Sequence, residues 1–175
     1  MFIPTKGKIF ALYLKITSNL LMQFTTMLYD YIIYTDGAYS RMHDEGAFAY
    51  IMLDGRGNHV KQFAKKITKE TNNRAELKAI IAALYHLPEG AETVKVISDS
   101  QYALFTLFGG WSRNANKDLF EIFDKIIADN KYAIDYEWVK GHSGVEYNEL
   151  CDQLCNSVLG YDANAEFEKY KKNKQ

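Results

Sequence analysis

The pattern of apolar positions is clearest from residue 31 onward, where an unbroken run of apolar and β-branched residues, 31–35, leads into Asp36 and Gly37. Such a run predicts a strand buried on both faces, with Asp36 where the strand meets a turn. Two more strands are predicted at residues 46–53 and 59–67, because a hairpin-turn sequence, Asp-Gly-Arg-Gly-Asn, lies between them. The first three strands are therefore expected to form an antiparallel meander.

After the third strand the apolar period changes to that of a helix. Between residues 73 and 87 one stripe of apolar residues is formed by Leu77, Ile80, Ile81, Leu84 and Leu87. Strands are further predicted at residues 93–98 and 132–138, and helices at residues 100–108, 117–130 and 146–159. This order predicts an α/β fold, with a five-stranded mixed sheet (three antiparallel strands, then parallel crossovers) and helices on both faces. Strands one and four should be parallel neighbours, which brings Asp36 and Asp99 to one edge.

The length of 175 residues indicates a single domain that can bury a substantial core. We assign this domain to residues 29–160, after a poorly ordered or dispensable extension, 1–28, and before a charged tail, 161–175. The extension resembles a signal peptide only faintly, because Lys15 interrupts its apolar run. No stretch is long and apolar enough to span a membrane, so we expect a cytoplasmic protein, and we expect it to be a monomer.

The charge pattern does not by itself indicate a nucleic-acid-binding protein, since the formal net charge is −1. Residues 30–161 carry 14 basic and 19 acidic residues, so a polyanionic partner would have to meet local basic patches or metal ions. The two cysteines, Cys151 and Cys155, are too few for a disulfide scaffold and lack the partners of a zinc site. We expect them to be reduced, half-buried thiols.

Four acidic residues, Asp36, Glu76, Asp99 and Asp152, stand where the predicted fold can bring them to one point. Each has an ordinary explanation: a turn residue, a capping-box acid paired with Asn73, a helix cap and a solvated helical residue, respectively. Gathered together, however, two carboxylates about 4 Å apart repel by roughly 4 kcal/mol at an effective dielectric constant near 20. Hard cations such as Mg²⁺ or Mn²⁺ would offset this repulsion, and a pair of them can hold a phosphodiester for hydrolysis.

Five stretches around these acids resemble type 1 ribonuclease H, in the same order and at similar spacing from about residue 31 to residue 159. They are residues 34–37 (YTDG), 71–77 (TNNRAEL), 98–102 (SDSQY), 138–144 (WVKGHSG) and 146–152 (EYNELCD). Any one of these motifs is weak evidence, whereas five in sequence are highly specific.

The resemblance implies an endonuclease that cuts the RNA strand of an RNA–DNA hybrid and leaves 5′-phosphate and 3′-hydroxyl ends. It implies that two Mg²⁺ ions, with Mn²⁺ as an alternative, are bound by Asp36, Glu76, Asp99 and Asp152. His142, on a glycine-flanked loop, would move protons or assist product release.

The same resemblance implies further contacts, made by Gly37, Thr71, Asn73, Gln101, Trp111 and Asn148. The Gly37 backbone would meet a 2′-hydroxyl, and Thr71 would meet a phosphate of the DNA strand. Asn73 and Gln101 would reach base edges in the minor groove, which is wide in such a hybrid. Trp111 would either stack against the DNA strand or pack in the core, and Asn148 would form a hydrogen bond near the last aspartate.

Three departures from the family pattern and three alternatives accompany this interpretation. Residues 38–45 lack the common Asn-Pro-Gly turn, so one phosphate contact is in doubt; residues 100–137 lack a long basic protrusion; and residues 1–28 do not resemble a hybrid-binding domain.

The alternatives are another nuclease or recombinase of the same fold, a non-catalytic hybrid-binding module, and a structural metal site. The first shares the carboxylates but not residues 71–74 (TNNR) and 140–144 (KGHSG) together. The intact acids and His142 argue against the second, and the third leaves Asn73, Gln101 and His142 unexplained.

Overall fold

The computed structural model describes residues 28–161. The elements in this part of the chain are β1 (Tyr31–Ser40), β2 (Glu45–Asp54), β3 (His59–Thr68), α1 (Asn72–Tyr85), β4 (Thr93–Ser98), α2 (Gln101–Leu107), α3 (Lys117–Asn130), β5 (Ala133–Trp138) and α4 (Glu146–Leu159). Apart from Leu28 and Tyr161, the predicted extension and tail lie outside the described residues. None of the described helices is long and apolar enough to cross a membrane.

The strands form one mixed sheet in the order β3-β2-β1-β4-β5, which confirms the predicted fold class. Strand β1 pairs antiparallel with β2 and parallel with β4, so it lies at the centre of the sheet. Strand β5 pairs parallel with β4, as a crossover through α2 and α3 requires. The meander and the parallel neighbours β1 and β4 therefore follow the prediction.

Strand β1 is longer than the sequence predicted, and the turn expected at Asp36 is absent. Asp36 and Gly37 are paired with Ala49 and Phe48 of β2, and this antiparallel ladder continues as far as Ser40. The parallel ladder to β4, by contrast, ends at the pair Thr35 and Ser98. Beyond residue 35 the strand is thus paired on one side only, which leaves an open notch beside Asp36.

Helices cover both faces of the sheet, as predicted. On one face α1, α2 and α3 bury a cluster that includes Ile33, Leu84, Leu104 and Phe123. On the other face α4 packs against β1, β2 and β3, and its cluster includes Ile32, Ile51, Cys151, Cys155 and Leu159. The cysteines are fully buried free thiols, not half-buried ones, and burial raises the pKa of each above its usual value.

Two helix starts differ from the caps that the sequence suggested. Helix α1 is capped by Thr71, whose hydroxyl accepts a hydrogen bond from Arg74 N at 3.3 Å, so the capping box with Asn73 is wrong. Helix α2 is capped by Ser100, which accepts from Ala103 N at 3.2 Å. Neither Glu76 nor Asp99 is therefore needed as a cap, and both acids require another explanation.

Candidate active site

Asp36 and Glu76 are brought together by a direct contact between strand β1 and helix α1. A β-carbon on Gly37 would lie 2.6 Å from Ala75 C and 2.9 Å from Glu76 Cα, closer than atoms pack. Only glycine permits this approach, which places Glu76 next to the residue that follows Asp36. Both carboxylates are buried, with exposed fractions of 7% for Asp36 and 6% for Glu76.

Asp99 completes a group of three carboxylates at the notch where β4 ends. Oxygen atoms of Asp36, Glu76 and Asp99 all lie within 4.8 Å of one another. Asp152, on α4, is not part of this close group, but it lies on the wall of the same open cavity. The cavity has a volume of about 460 Å³ and is lined by Asp36, Gly37, Ala38, Tyr39, Arg41, Asn72, Glu76, Asp99, His142, Asn148, Glu149 and Asp152. We call it the carboxylate cavity.

The carboxylates repel one another strongly in this setting. Burial, and then the charges of Asp99 and Asp152, raise the pKa of Asp36 to about 8, although a backbone hydrogen bond from Gly37 acts in the opposite direction. Burial and the neighbouring charges of Asp36 and Asp99 also raise the pKa of Glu76 well above its usual value. Without a cation, the cavity therefore favours the protonated, neutral form of its two most buried acids.

The donor set fits a hard divalent cation. Two buried oxygen atoms on this cavity, Glu76 Oε2 and Asn148 Oδ1, have no hydrogen-bond partner within the described part of the chain. A buried oxygen without a partner costs free energy unless an ion, a water molecule or a substrate atom satisfies it. Clustered carboxylate oxygens without any histidine or thiolate ligand are typical of Mg²⁺ and Mn²⁺ sites rather than of zinc sites.

Two side chains hold Asp99 in place. Asn148 is buried on α4 and donates from Nδ2 to Asp99 Oδ2 at 3.2 Å. Trp138, at the end of β5, donates from its indole Nε1 to the Asp99 backbone oxygen at 2.9 Å. The sequence predicted a hydrogen bond of Asn148 near the last aspartate; the bond from Asn148 Nδ2 goes to Asp99, and the role of Asn148 stays a prediction.

The loop that carries His142 is fixed at two points beside the cavity. A β-carbon on Gly141 would lie 2.6 Å from Asp99 Oδ2, so the loop passes directly over that carboxylate. The N–H of Gly144 donates to Glu149 Oε1 at 2.7 Å. Between these points His142 has a φ of 53° and is exposed on the cavity wall. Its ring is therefore in contact with solvent next to the acids.

The predicted substrate contacts lie outside the cavity wall, except for Gly37. Thr71, Asn73 and Gln101 are exposed at or near the starts of α1 and α2. Trp111 is 51% exposed, and its ring lies 5.1 Å from that of Phe105. This tryptophan is a surface residue packed on a neighbour. Packing in the core, one of the two environments predicted for it, is therefore excluded.

The cavity wall also contains residues that the sequence interpretation did not select: Ala38, Tyr39, Arg41, Asn72 and Glu149. A signal existed for Glu149, because it precedes Asp152 by three residues and therefore shares its helical face. Tyr39 and Arg41 had no such signal, since their placement depends on the continuation of β1 beyond Asp36. Asn72 is the first residue of α1, directly after the Thr71 cap, and the sequence did not show that the helix begins there.

Comparison with known proteins agrees with this geometry. The RNase H family model matches residues 29–159. The ribonuclease H of Syntrophomonas wolfei is 34% identical over 142 residues, which cover 73% of this chain and 94% of that protein. Ribonuclease HI of Synechocystis is 34% identical over 146 residues, with 75% and 88% covered, and the ribonuclease H of Actinobacillus pleuropneumoniae is 35% identical over 138 residues, with 71% and 87% covered. The chain therefore belongs to the ribonuclease H family, a family of metal-dependent endoribonucleases.

Proposed function

We propose that this protein hydrolyses the RNA strand of RNA–DNA hybrids and leaves 5′-phosphate and 3′-hydroxyl ends. Two Mg²⁺ ions, replaceable by Mn²⁺, would be held by Asp36, Glu76, Asp99 and Asp152. The observation that carries the proposal is the close approach of oxygen atoms from Asp36, Glu76 and Asp99, within 4.8 Å, because these acids come from three separate segments of the chain and none of them forms an ion pair with a lysine or arginine of the described residues. Burying like charges this close together costs free energy, which a structural role alone does not explain.

The protein's own part in the reaction is to position groups and to manage protons. When bound, the ions would supply an activated water and stabilise the charge that develops on the leaving oxygen. Asp36 and Glu76 sit on rigid elements joined by the Gly37 contact, so their oxygen atoms do not have to rearrange. Asn148 and Trp138 fix Asp99 from its side chain and its backbone, respectively.

His142 is proposed to carry protons between the cavity and solvent or to assist product release. Its exposure and its place on a loop with positive φ at both His142 and Gly144 support this role. An imidazole can change its protonation state near neutral pH, which suits either task. Asp36, Glu76 and Asp152, by contrast, lie on a strand and two helices, Asp99 directly follows β4, and all four are proposed to remain as fixed ligands.

Of the residues proposed to contact the hybrid, Gly37 lines the carboxylate cavity and the others are exposed outside its wall. The Gly37 backbone is proposed to meet a 2′-hydroxyl, which distinguishes RNA from DNA. Asn73 and Gln101 are proposed to reach base edges in the minor groove, and Thr71 a phosphate of the DNA strand. Trp111 is proposed to stack against the DNA strand, and its exposed ring supports that role.

We further propose that the domain acts as a cytoplasmic monomer and that residues 29–160 are sufficient for cleavage. Two fully buried free thiols, Cys151 and Cys155, suit a reducing compartment. Light scattering of the purified protein tests the monomer. A chain that starts at Met27 and cleaves as fast as the full chain would support the domain boundary.

A panel of labelled substrates tests the function. The full chain is incubated with Mg²⁺ and an RNA–DNA hybrid, double-stranded DNA or double-stranded RNA of one sequence. We expect cleavage of the hybrid alone, within its RNA strand, and products that a ligase requiring 5′-phosphate and 3′-hydroxyl ends accepts. Binding of the hybrid without cleavage would indicate a non-catalytic module, and cleavage of double-stranded DNA would indicate another nuclease of the same fold.

A further inference from the structure

Arg41 is the one permanently charged cation on the wall of the carboxylate cavity, whose lining residues all belong to the described part of the chain. It lies in the turn of residues 41–44 that joins β1 to β2, and its side chain is exposed. This is the turn that lacks the family's Asn-Pro-Gly sequence. An arginine at this position needs an explanation, because five acids line the same cavity.

Arg41 forms no ion pair with any carboxylate of residues 28–161, since none lies within 4.0 Å of its guanidinium nitrogens. The nearest acids in sequence are already occupied. Asp44 accepts a hydrogen bond from the Tyr39 hydroxyl, and Glu45 pairs with Lys66 at 2.7 Å. The guanidinium is therefore available for an anion from outside the protein.

The turn itself is held in place, so Arg41 is presented from a fixed backbone. Glu70 N donates to the Tyr39 hydroxyl at 3.2 Å, and Lys69 N donates to the Asp44 carbonyl at 3.3 Å. Asp44 has a φ of 52°, which closes the turn tightly. These contacts tie the turn to the segment between β3 and α1 and thus to the helix that carries Glu76.

We propose that Arg41 binds a backbone phosphate of the RNA–DNA hybrid at the rim of the carboxylate cavity. The inference rests on the proposed function, because a strand held at the carboxylates carries a phosphate at every nucleotide and brings its neighbouring phosphates to the rim. A planar guanidinium can bind a phosphate through two parallel hydrogen bonds, which a lysine cannot do. The arginine thus compensates for the acidity of the cavity where a polyanion has to approach.

Three variants test this proposal: Arg41→Ala, Arg41→Lys and, as a matched control, Arg56→Ala. Arg56 is also an exposed turn arginine, but it lies in the β2–β3 turn at the opposite end of the sheet. Cleavage of one hybrid is measured at several salt concentrations, and binding of the same labelled hybrid is measured in chelator by fluorescence anisotropy.

For Arg41→Ala we expect KM and the dissociation constant to rise about 10-fold, with kcat changed by less than about 2-fold, because a phosphate contact contributes equally to ground-state and transition-state binding. The slope of log affinity against log salt should fall by about 1. Arg41→Lys should keep the salt slope and lose only part of the affinity. Arg56→Ala should match the wild type.

Unchanged KM, dissociation constant and salt slope in Arg41→Ala would overturn the proposal. A fall in kcat without a change in binding would also overturn it, because Arg41 would then act in the chemical step. If the wild type cut no hybrid, the proposed function would fail, and the anisotropy comparison would still decide whether Arg41 binds the nucleic-acid backbone.

Discussion

Gly37 and Glu76 are in direct backbone contact, and this contact sets the distance between two carboxylates on different elements. A β-carbon on Gly37 would lie 2.9 Å from Glu76 Cα, which a real side chain does not tolerate. Gly37 directly follows Asp36 in β1, and Glu76 lies in the first turns of α1. Any side chain at position 37 must therefore push the strand and the helix apart.

We expect Gly37→Ala to lower the free energy of unfolding by about 1–3 kcal/mol, the usual cost of overpacking. It should also lower kcat by about 100-fold, since a displacement near 1 Å misplaces the acids. Urea unfolding and steady-state cleavage measure the two effects. Gly90→Ala is the control, because its β-carbon would meet no atom within 4 Å and its φ of 85° costs only backbone strain. A stable, fully active Gly37→Ala would refute this account of the carboxylate spacing.

The stability of the metal-free protein should fall as pH rises from about 4 to about 8. Burial and the charges of Asp99 and Asp152 raise the pKa of Asp36 to about 8 in the folded state. In this window the folded protein retains a proton that the unfolded chain has lost, so each pH unit lowers the free energy of unfolding by at most ~1.4 kcal/mol for this group. Glu76 shifts in the same direction.

Unfolding in chelator at several pH values measures this effect, with Asp36→Asn as the reference. His86 acts in the opposite sense, because burial lowers its pKa and the unfolded chain then binds more protons. The informative quantity is therefore the difference between the wild type and Asp36→Asn. We expect the variant to gain stability relative to the wild type as pH rises. If the stability curves of the wild type and Asp36→Asn stayed parallel over this pH range, folding would not raise the pKa of Asp36, and the prediction would be wrong.

His142→Ala should slow turnover by about 100-fold without abolishing it, because a proton carrier that does not bind the metal contributes less than a metal ligand. Asp36→Asn should remove nearly all activity. Both variants are compared on one hybrid at saturating Mg²⁺. An equal and complete loss in both would mean that His142 is essential, and the proposed division of roles would be wrong.

Glu149 is expected to act by positioning the His142 loop through its bond to Gly144 N, at 2.7 Å. Glu149→Ala should lower kcat about 10-fold with little change in KM, which corresponds to one hydrogen bond. Glu149→Gln keeps an acceptor oxygen and should restore most of the rate. If the glutamine variant were as slow as the alanine variant, the charge of Glu149 would matter rather than its hold on the loop.

The bounds of β4 and α3 match those predicted because each element has a clear local pattern: a β-branched run in β4 and an apolar stripe in α3. Asp36 and Gly37 were expected to form a turn because both residues disfavour strands, yet the pairing with Ala49 and Phe48 overrides that preference. Sequence motifs selected four acids, but only the fold shows which three lie closest together.

Arg41 could not have been assigned to the cavity from the sequence. Its position depends on five further residues of β1 pairing with β2, on the bond between Tyr39 and Asp44, and on the bond of Tyr39 to Glu70, which is distant in the chain. Glu149 was accessible in principle from its helical spacing to Asp152. The place of Arg41 on the cavity wall was not predicted because it depends on contacts between elements and not on local propensity.

The central claim is that these carboxylates catalyse metal-dependent hydrolysis. Its most direct test compares the Mg²⁺-dependent cleavage of a labelled RNA–DNA hybrid by the wild type and by Asp99→Asn. The substitution keeps an oxygen that can accept from Asn148 Nδ2, so the local hydrogen bond survives while one negative charge is lost. Thermal unfolding in chelator provides the control, and the variant should be as stable as the wild type or slightly more so, because like-charge repulsion is relieved. We predict cleavage by the wild type and none by the variant. Cleavage by Asp99→Asn at the wild-type rate would contradict the account.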